Sequence, residues 1–109
     1  MTQFDFGNGP KPAHSHPNGG GWVADSASVS TTAYVGPNAC VYGSARVSDN
    51  ARVDDNARVY GNAQVTNNAR VSGNARVYGN TWVADNAWVA DNARVSDNAW
   101  VYDDALVYG

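Results

Sequence analysis

The stretch "NARVSGNARVYGN", residues 68–80, repeats one six-residue motif in which only the residues beside the valine change. The same spacing extends in both directions, because a valine stands at every sixth position from Val23 to Val107. From Val29 onward an alanine precedes each valine by two positions, with Thr81 as the exception. So regular a period is typical of a solenoid, in which each repeat is a structural unit stacked on the next.

Each repeat combines a short alternating segment with a turn. Alternation places alanine and valine on one side of a strand and their neighbours on the other. The next two residues, mostly Gly-Asn or Asp-Asn, tolerate the left-handed backbone that a sharp corner needs. We therefore predict strands of about four residues and two-residue corners, with every valine facing inward around one axis. Three repeats close a triangle, giving about 18 residues per coil and parallel strands stacked ~4.8 Å apart.

Composition sets limits on the class of protein. The chain has 109 residues, one small domain at most, and a formal net charge of −3. All ten acids are aspartate, which favours turns, so the acidity is a by-product of the corners and does not indicate a basic partner. Cys40 is the single cysteine, which excludes an internal disulfide framework. No apolar run has the length of a signal segment or membrane span, so we expect no membrane partner and a cytoplasmic location, either cellular or in an infected cell.

From Val23 to the C-terminus the pattern resembles the left-handed parallel β-helix of the hexapeptide-repeat superfamily. The opening, "FDFGNGPKPAHSHPNGGGWVADSASVSTTAYVGPNACVYG", is similar to short uncharacterised hexapeptide-repeat proteins of bacteria and phages. The resemblance implies an all-β fold with left-handed crossovers and about five coils. Residues 1–21 are rich in glycine and proline and the period begins after Gly21, so we divide the chain into an N-terminal capping tail, residues 1–21, and a β-helix, residues 22–109.

Every third repeat lies on the same face of the triangular coil, so the variable residues form columns along the solenoid axis. The first face carries two such columns, one aromatic and one basic: Tyr42, Tyr60 and Tyr78 beside Arg58, Arg76 and Arg94. Stacked rings and guanidinium stems stabilise neighbouring strands, which is one interpretation. The other is a binding face for a nucleotide, a polyanion or an acidic protein. Net negative charge argues against general nucleic-acid binding.

The second and third faces become aromatic towards the C-terminal end. Their outward residues there are Trp82, Trp88, Trp100, Tyr102, Leu106 and Tyr108. Exposed apolar area on this scale usually marks an interface, so these residues predict self-association. The resemblance implies a three-fold homotrimer, and a partner protein or glycan is the alternative occupant.

The positions of the two histidines in the sequence indicate whether a catalytic or metal site is expected. Many hexapeptide-repeat proteins are acyltransferases with a catalytic histidine, an inserted loop and a C-terminal helix, and related γ-type carbonic anhydrases use three zinc histidines. This chain has no histidine from residue 17 onward and no insertion between repeats, so we predict no catalytic residue and no cofactor. His14 and His16 are weak metal candidates, since strand residues two apart face the same way and a trimer axis would gather their imidazoles. Alternatively the tail folds over the first coil, and Phe4 and Phe6 plug its open end.

These observations predict a non-enzymatic structural or interaction module. The expected setting is a phage or prophage trimer, either a virion component or a small inhibitor of a host protein. Two alternatives stay open: an acyltransferase or carbonic-anhydrase-like enzyme using the tail histidines, and a nucleotide- or polyanion-binding protein using the first face.

Overall fold

The computed structural model describes residues 3–7 and 9–108, and these contain β-strands and no helix. The predicted domain limits at Met1 and Gly109 therefore lie outside the described residues. Fifteen of the strands belong to the repeats, and fourteen of those are two residues long, shorter than predicted. The strands are β1 Gln3–Asp5, β2 Pro10–Ser15, β3 Trp22–Ala24, β4 Ser28–Val29, β5 Tyr34–Val35, β6 Cys40–Val41, β7 Arg46–Val47, β8 Arg52–Val53, β9 Arg58–Val59, β10 Gln64–Val65, β11 Arg70–Val71, β12 Arg76–Val77, β13 Trp82–Val83, β14 Trp88–Val89, β15 Arg94–Val95, β16 Trp100–Val101 and β17 Leu106–Val107.

The strands from β3 onward form three parallel sheets, because each pairs with the strand three places along the chain. Sheet one has the order β1-β2-β3-β6-β9-β12-β15, sheet two β16-β13-β10-β7-β4, and sheet three β17-β14-β11-β8-β5. The register advances by one 18-residue coil, as in Gln64 opposite Trp82. This confirms the all-β solenoid of three repeats per coil and about five coils. We call the outward surfaces of the three sheets face one, face two and face three.

The repeated alanines and valines fill the interior of the prism. Eleven of the fifteen repeat valines are at most 1% exposed, and most repeat alanines are equally buried. Thr81 takes an alanine position and is 1% exposed, and its hydroxyl has no hydrogen-bond partner. One continuous apolar core therefore runs along the axis.

Aspartate, asparagine and glycine form the corners. The non-glycine residues with positive φ, between 56° and 65°, are Asp49, Asp55, Asn67, Asp85, Asp91, Asp97 and Asp103. Asparagines that directly follow the corner positions form amide ladders between coils. Asn80 accepts a hydrogen bond from Asn62 at 3.2 Å and donates one to Asn98 at 3.3 Å. The prediction that aspartate is used for its turn behaviour is confirmed at these positions.

The N-terminal segment extends sheet one and covers part of face one. Strand β2 pairs antiparallel with both β1 and β3. The ring of Phe4 stacks on Trp22 at 5.0 Å and that of Phe6 on Tyr42 at 4.8 Å, between ring centroids. The expectation that Phe4 and Phe6 plug the end of the core is thus wrong. They form a separate small apolar cluster with Ala13, Ala24 and Cys40.

The first coil is instead capped by the segment between β2 and β3. His16 is 4% exposed, and its Nε2 donates to the Ala33 carbonyl oxygen at 2.9 Å. The Gly21 amide donates to the Val35 carbonyl at 2.9 Å. A Cβ on Gly21 would collide with the Gly36 carbonyl oxygen, so this close approach requires glycine.

Candidate functional site

Face one carries a continuous aromatic column. The ring centroids of Tyr42 and Tyr60 are 4.8 Å apart and those of Tyr60 and Tyr78 are 5.0 Å apart, and both ring pairs lie within 4° of parallel. Phe6 of the N-terminal segment adds one more ring above Tyr42. The next outward position in this column is Ser96, so the column of rings ends at Tyr78.

A basic column runs beside the rings. Arg58, Arg76 and Arg94 face one another in register across β9, β12 and β15. Within the described part of the chain, none of these three guanidinium groups lies within 4.0 Å of a carboxylate. The structure therefore brings all six predicted face-one residues together, and it leaves the arginines without a counter-charge.

The N-terminal segment covers the upper end of face one. Arg58 Nη1 donates to the Phe6 carbonyl oxygen at 3.5 Å, and Tyr42 lies beneath the Phe6 ring. Burial raises the pKa of Tyr42, and the neighbouring Arg58 only partly offsets this. Hydrogen bonding to Tyr42 in turn raises the pKa of Arg58. Tyr42 and Arg58 are thus engaged within the protein. Tyr60, Arg76 and Tyr78 are half-buried, and Arg94 is the exposed residue of the six.

Cys40 lies under the same segment as a buried free thiol. Burial raises its pKa, and the positive charges of Arg58 and Arg76 lower it to a smaller extent. A thiol that is both buried and protonated at neutral pH is a poor nucleophile. Its position indicates packing and does not indicate catalysis.

The predicted interface residues are the large apolar side chains that the structure leaves in solvent. Their exposed fractions are Trp82 38%, Trp88 44%, Trp100 64%, Tyr102 54%, Leu106 55% and Tyr108 65%. We call these six residues the aromatic patch. Half of them lie on face two and half on face three, in the two coils nearest the C-terminus.

On face two the aromatic patch encloses a groove. Trp82 and Trp100 meet edge to face, with ring centroids 5.1 Å apart and an angle of 87° between their planes. The groove has a volume of about 460 Å³, and its lining is mainly apolar. It is lined by Thr66, Asn67, Trp82, Ala84, Asp85, Trp100, Val101 and Tyr102. The repeat spacing places both tryptophans on one face, but it carries no information on the ring angle that opens the groove.

Face three carries the other three residues of the aromatic patch, the exposed Trp88, Leu106 and Tyr108. The guanidinium carbon of Arg70 lies 5.4 Å from the centre of the Trp88 ring, a cation–π contact that orients the indole. Further from the patch, Arg52 lies 4.7 Å from the Tyr34 ring and 3.7 Å from an Asp54 carboxylate oxygen.

The two tail histidines lie in different environments. His14 pairs with Asp25 at 2.8 Å on the surface, whereas His16 is buried against Ala33. The expectation that both imidazoles face the same way is wrong, because β2 ends at Ser15 and the chain turns before His16. Within residues 3–7 and 9–108 no group of three or more His, Cys, Asp or Glu side chains could hold a metal ion.

The fold and its surfaces define a β-solenoid repeat protein. A family model described as the YdcK beta solenoid repeat matches residues 69–85, which include part of the stretch that sets the period. No curated protein and no solved structure matches the chain. In the described ranges, no helical segment has the length and hydropathy of a membrane span.

Proposed function

We propose that this protein is a non-enzymatic interaction module, a rigid β-solenoid that self-associates through its aromatic patch. One observation carries the proposal: the six large exposed apolar residues lie together on two faces of the same two coils. Elsewhere the same outward columns hold serine, arginine and glutamine, such as Ser28, Arg46 and Gln64 on face two. Apolar area concentrated in this way gains free energy when it is buried against another surface.

The shapes of the two faces support a contact between unlike surfaces. Face two offers the groove between Trp82 and Trp100, and face three offers the exposed side chains of Trp88, Leu106 and Tyr108. A contact that joins different faces of two copies is heterologous, and it forms a closed ring when the rotation between copies closes. The three-fold homotrimer is the ring that the hexapeptide-repeat resemblance implies.

The sequence supports a module without catalysis. No histidine follows residue 17, and the one free cysteine is buried. The setting we propose is a phage or prophage, in which the trimer serves as a virion component or binds and inhibits a host protein in the cytoplasm. This setting rests on the resemblance of residues 4–43 to short phage and bacterial repeat proteins.

Multi-angle light scattering tests self-association. The unmodified chain is expected to elute with the mass of a trimer, and a chain with Trp82→Ser, Trp88→Ser and Trp100→Ser as a monomer. The matched control carries Arg46→Ser and Arg52→Ser, which change exposed positions in the same columns nearer the N-terminus and should leave the trimer intact. Because the tryptophans are exposed, their replacement leaves the core unchanged, and circular dichroism checks this. A monomeric unmodified chain at all accessible concentrations would overturn the proposal.

A further inference from the structure

We propose that the end of the tyrosine column on face one, where Tyr78 lies above Ser96 beside Arg76 and Arg94, binds a nucleoside phosphate. Self-association uses faces two and three, so this site is separate from the aromatic patch. The ligand class follows from three features of face one. One tyrosine ring is uncovered on one side, and two guanidinium groups have no carboxylate partner in the described residues. The outward columns that hold the tyrosines and arginines contain no acidic residue.

The uncovered ring is that of Tyr78. The two tyrosine rings above it are each stacked on both sides, Tyr42 between Phe6 and Tyr60, and Tyr60 between Tyr42 and Tyr78. Below Tyr78 the register places Ser96, whose side chain is too short to cover a phenol ring. The lower face of Tyr78 is therefore the one stacking surface that this column leaves open within the described chain. A planar aromatic group placed there would continue the stack at the spacing of the coils.

The charge beside this ring is positive. Arg76 and Arg94 are register partners, so their side chains leave the same face one coil apart. Neither forms an ion pair with a carboxylate within residues 3–7 and 9–108. Like charges in register repel each other, and an anion held between them removes that repulsion. The forked guanidinium groups match the oxygens of a phosphate.

The lateral spacing suits a ligand that carries a flat ring and an anion together. Tyr78 directly follows β12 and Ser96 directly follows β15, so Arg76 and Tyr78 flank the buried Val77, and Arg94 and Ser96 flank Val95. The Tyr78 amide donates to the Val95 carbonyl oxygen at 2.9 Å, which continues the ladder between coils past the end of the strand. Residues two apart on a strand project from the same face. A base above Ser96 would therefore have its phosphate directed along the strand towards Arg94 and Arg76.

The neighbouring corners limit the length of the ligand. Asp91 precedes Arg94 and Asp97 follows Ser96, so carboxylates stand at both edges of the face in this coil. A long nucleic acid would bring further phosphates near these carboxylates, which disfavours it at a net charge of −3. A mononucleotide fits between them, and it is the occupant that we propose.

An NMR titration with AMP tests the site, with adenosine, inorganic phosphate and a short single-stranded oligoadenylate as separate arms. We expect AMP to bind about tenfold or more tightly than adenosine or phosphate, because it alone uses both the ring and the arginines. Chemical-shift changes should be centred on Tyr78, Arg94 and Ser96. Equal affinity for AMP and phosphate would overturn the role of the ring. An oligoadenylate that binds more tightly than AMP would overturn the mononucleotide assignment.

Three variants separate the contributions. Ser96→Leu covers the Tyr78 ring without removing a charge, and Tyr78→Leu removes the ring; each should weaken AMP binding about tenfold or more. Arg94→Gln should weaken AMP but leave adenosine unchanged. Arg46→Gln, an exposed arginine on face two, is the matched control and should have no effect. Unchanged AMP affinity in Ser96→Leu, with the fold retained, contradicts the proposal whatever the oligomeric state.

Discussion

Tyr42 and Tyr60 lie in adjacent coils with their ring centroids 4.8 Å apart and their planes 4° from parallel. The strand spacing of a parallel sheet sets this separation, so identical residues in one column stack without distortion of the backbone. The column therefore contributes to the stability of the solenoid, whatever binds at its lower end.

Replacing the middle ring should show this contribution. Tyr60→Ser removes stacking on both sides, and we expect a loss of about 1–2 kcal/mol in the free energy of unfolding. Urea denaturation followed by circular dichroism measures the change. The control Arg46→Ser removes an exposed side chain on face two outside the aromatic patch and should cost less than about 0.5 kcal/mol. Equal losses in the two variants would mean that stacking adds nothing beyond the side chain itself.

Replacing Thr81 should raise the free energy of unfolding instead of lowering it. Its buried hydroxyl has no hydrogen-bond partner in the structure, and a lone buried hydroxyl costs about 1–3 kcal/mol. Thr81→Val keeps the shape and removes the hydroxyl, so it should raise the unfolding free energy, by about 1 kcal/mol. Ala63→Thr, which places a hydroxyl at the equivalent position one coil earlier, should lower it. A Thr81→Val chain that is less stable than the parent would show that the hydroxyl is satisfied.

The repeat period predicts the architecture because each position of the six-residue repeat has one physical role. Valine and alanine specify the inner side, and aspartate, asparagine and glycine specify the corner, so five coils follow from the spacing alone. The same spacing assigns Tyr78, Arg94 and Trp100 to their faces correctly. Side-chain direction within a face depends on neighbours, which is why the angle between Trp82 and Trp100 could not be predicted.

The N-terminal segment has no period, and the prediction failed there. We expected Phe4 and Phe6 to plug the core, but they stack on Trp22 and Tyr42, which occupy outward positions on the first coils of face one. The polar His16 caps the core, since its ring nitrogen supplies the donor that an apolar plug lacks. A residue chosen for its single hydrogen bond leaves no periodic signal in the sequence.

Alkaline pH should destabilise the covered end of face one. Burial raises the pKa of Cys40 above its ordinary 9.0 and that of Tyr42 above its ordinary 10.0. The unfolded chain then loses these protons first, so it binds fewer protons than the folded chain and stability falls as pH rises. Their contribution is complete below about pH 9 and declines as the pH rises through the ordinary and then the raised pKa values of the two groups.

The urea midpoint measured across this range checks the effect. A chain with Cys40→Ala and Tyr42→Phe, which cannot ionise at either position, should show a flatter decline than the parent. A decline of the same steepness would assign the alkaline sensitivity to other groups. As an independent check, the Cys40 thiol should react slowly with a disulfide reagent at neutral pH, and rapidly once urea unfolds the chain.

The cap at His16 should protect the first coil more than the rest. In a solenoid each coil contacts only its neighbours, so losing the cap opens the adjacent coil before distant ones. His16→Ala removes the hydrogen bond to the Ala33 carbonyl oxygen and the buried imidazole ring. We therefore expect faster amide exchange in β4 and β5, with exchange in β12 and β13 unchanged. His14→Ala breaks only an exposed pair with Asp25 and should leave exchange in all four strands as it was. Uniformly faster exchange along the chain would show that the coils unfold as one unit and that His16 supports the whole solenoid.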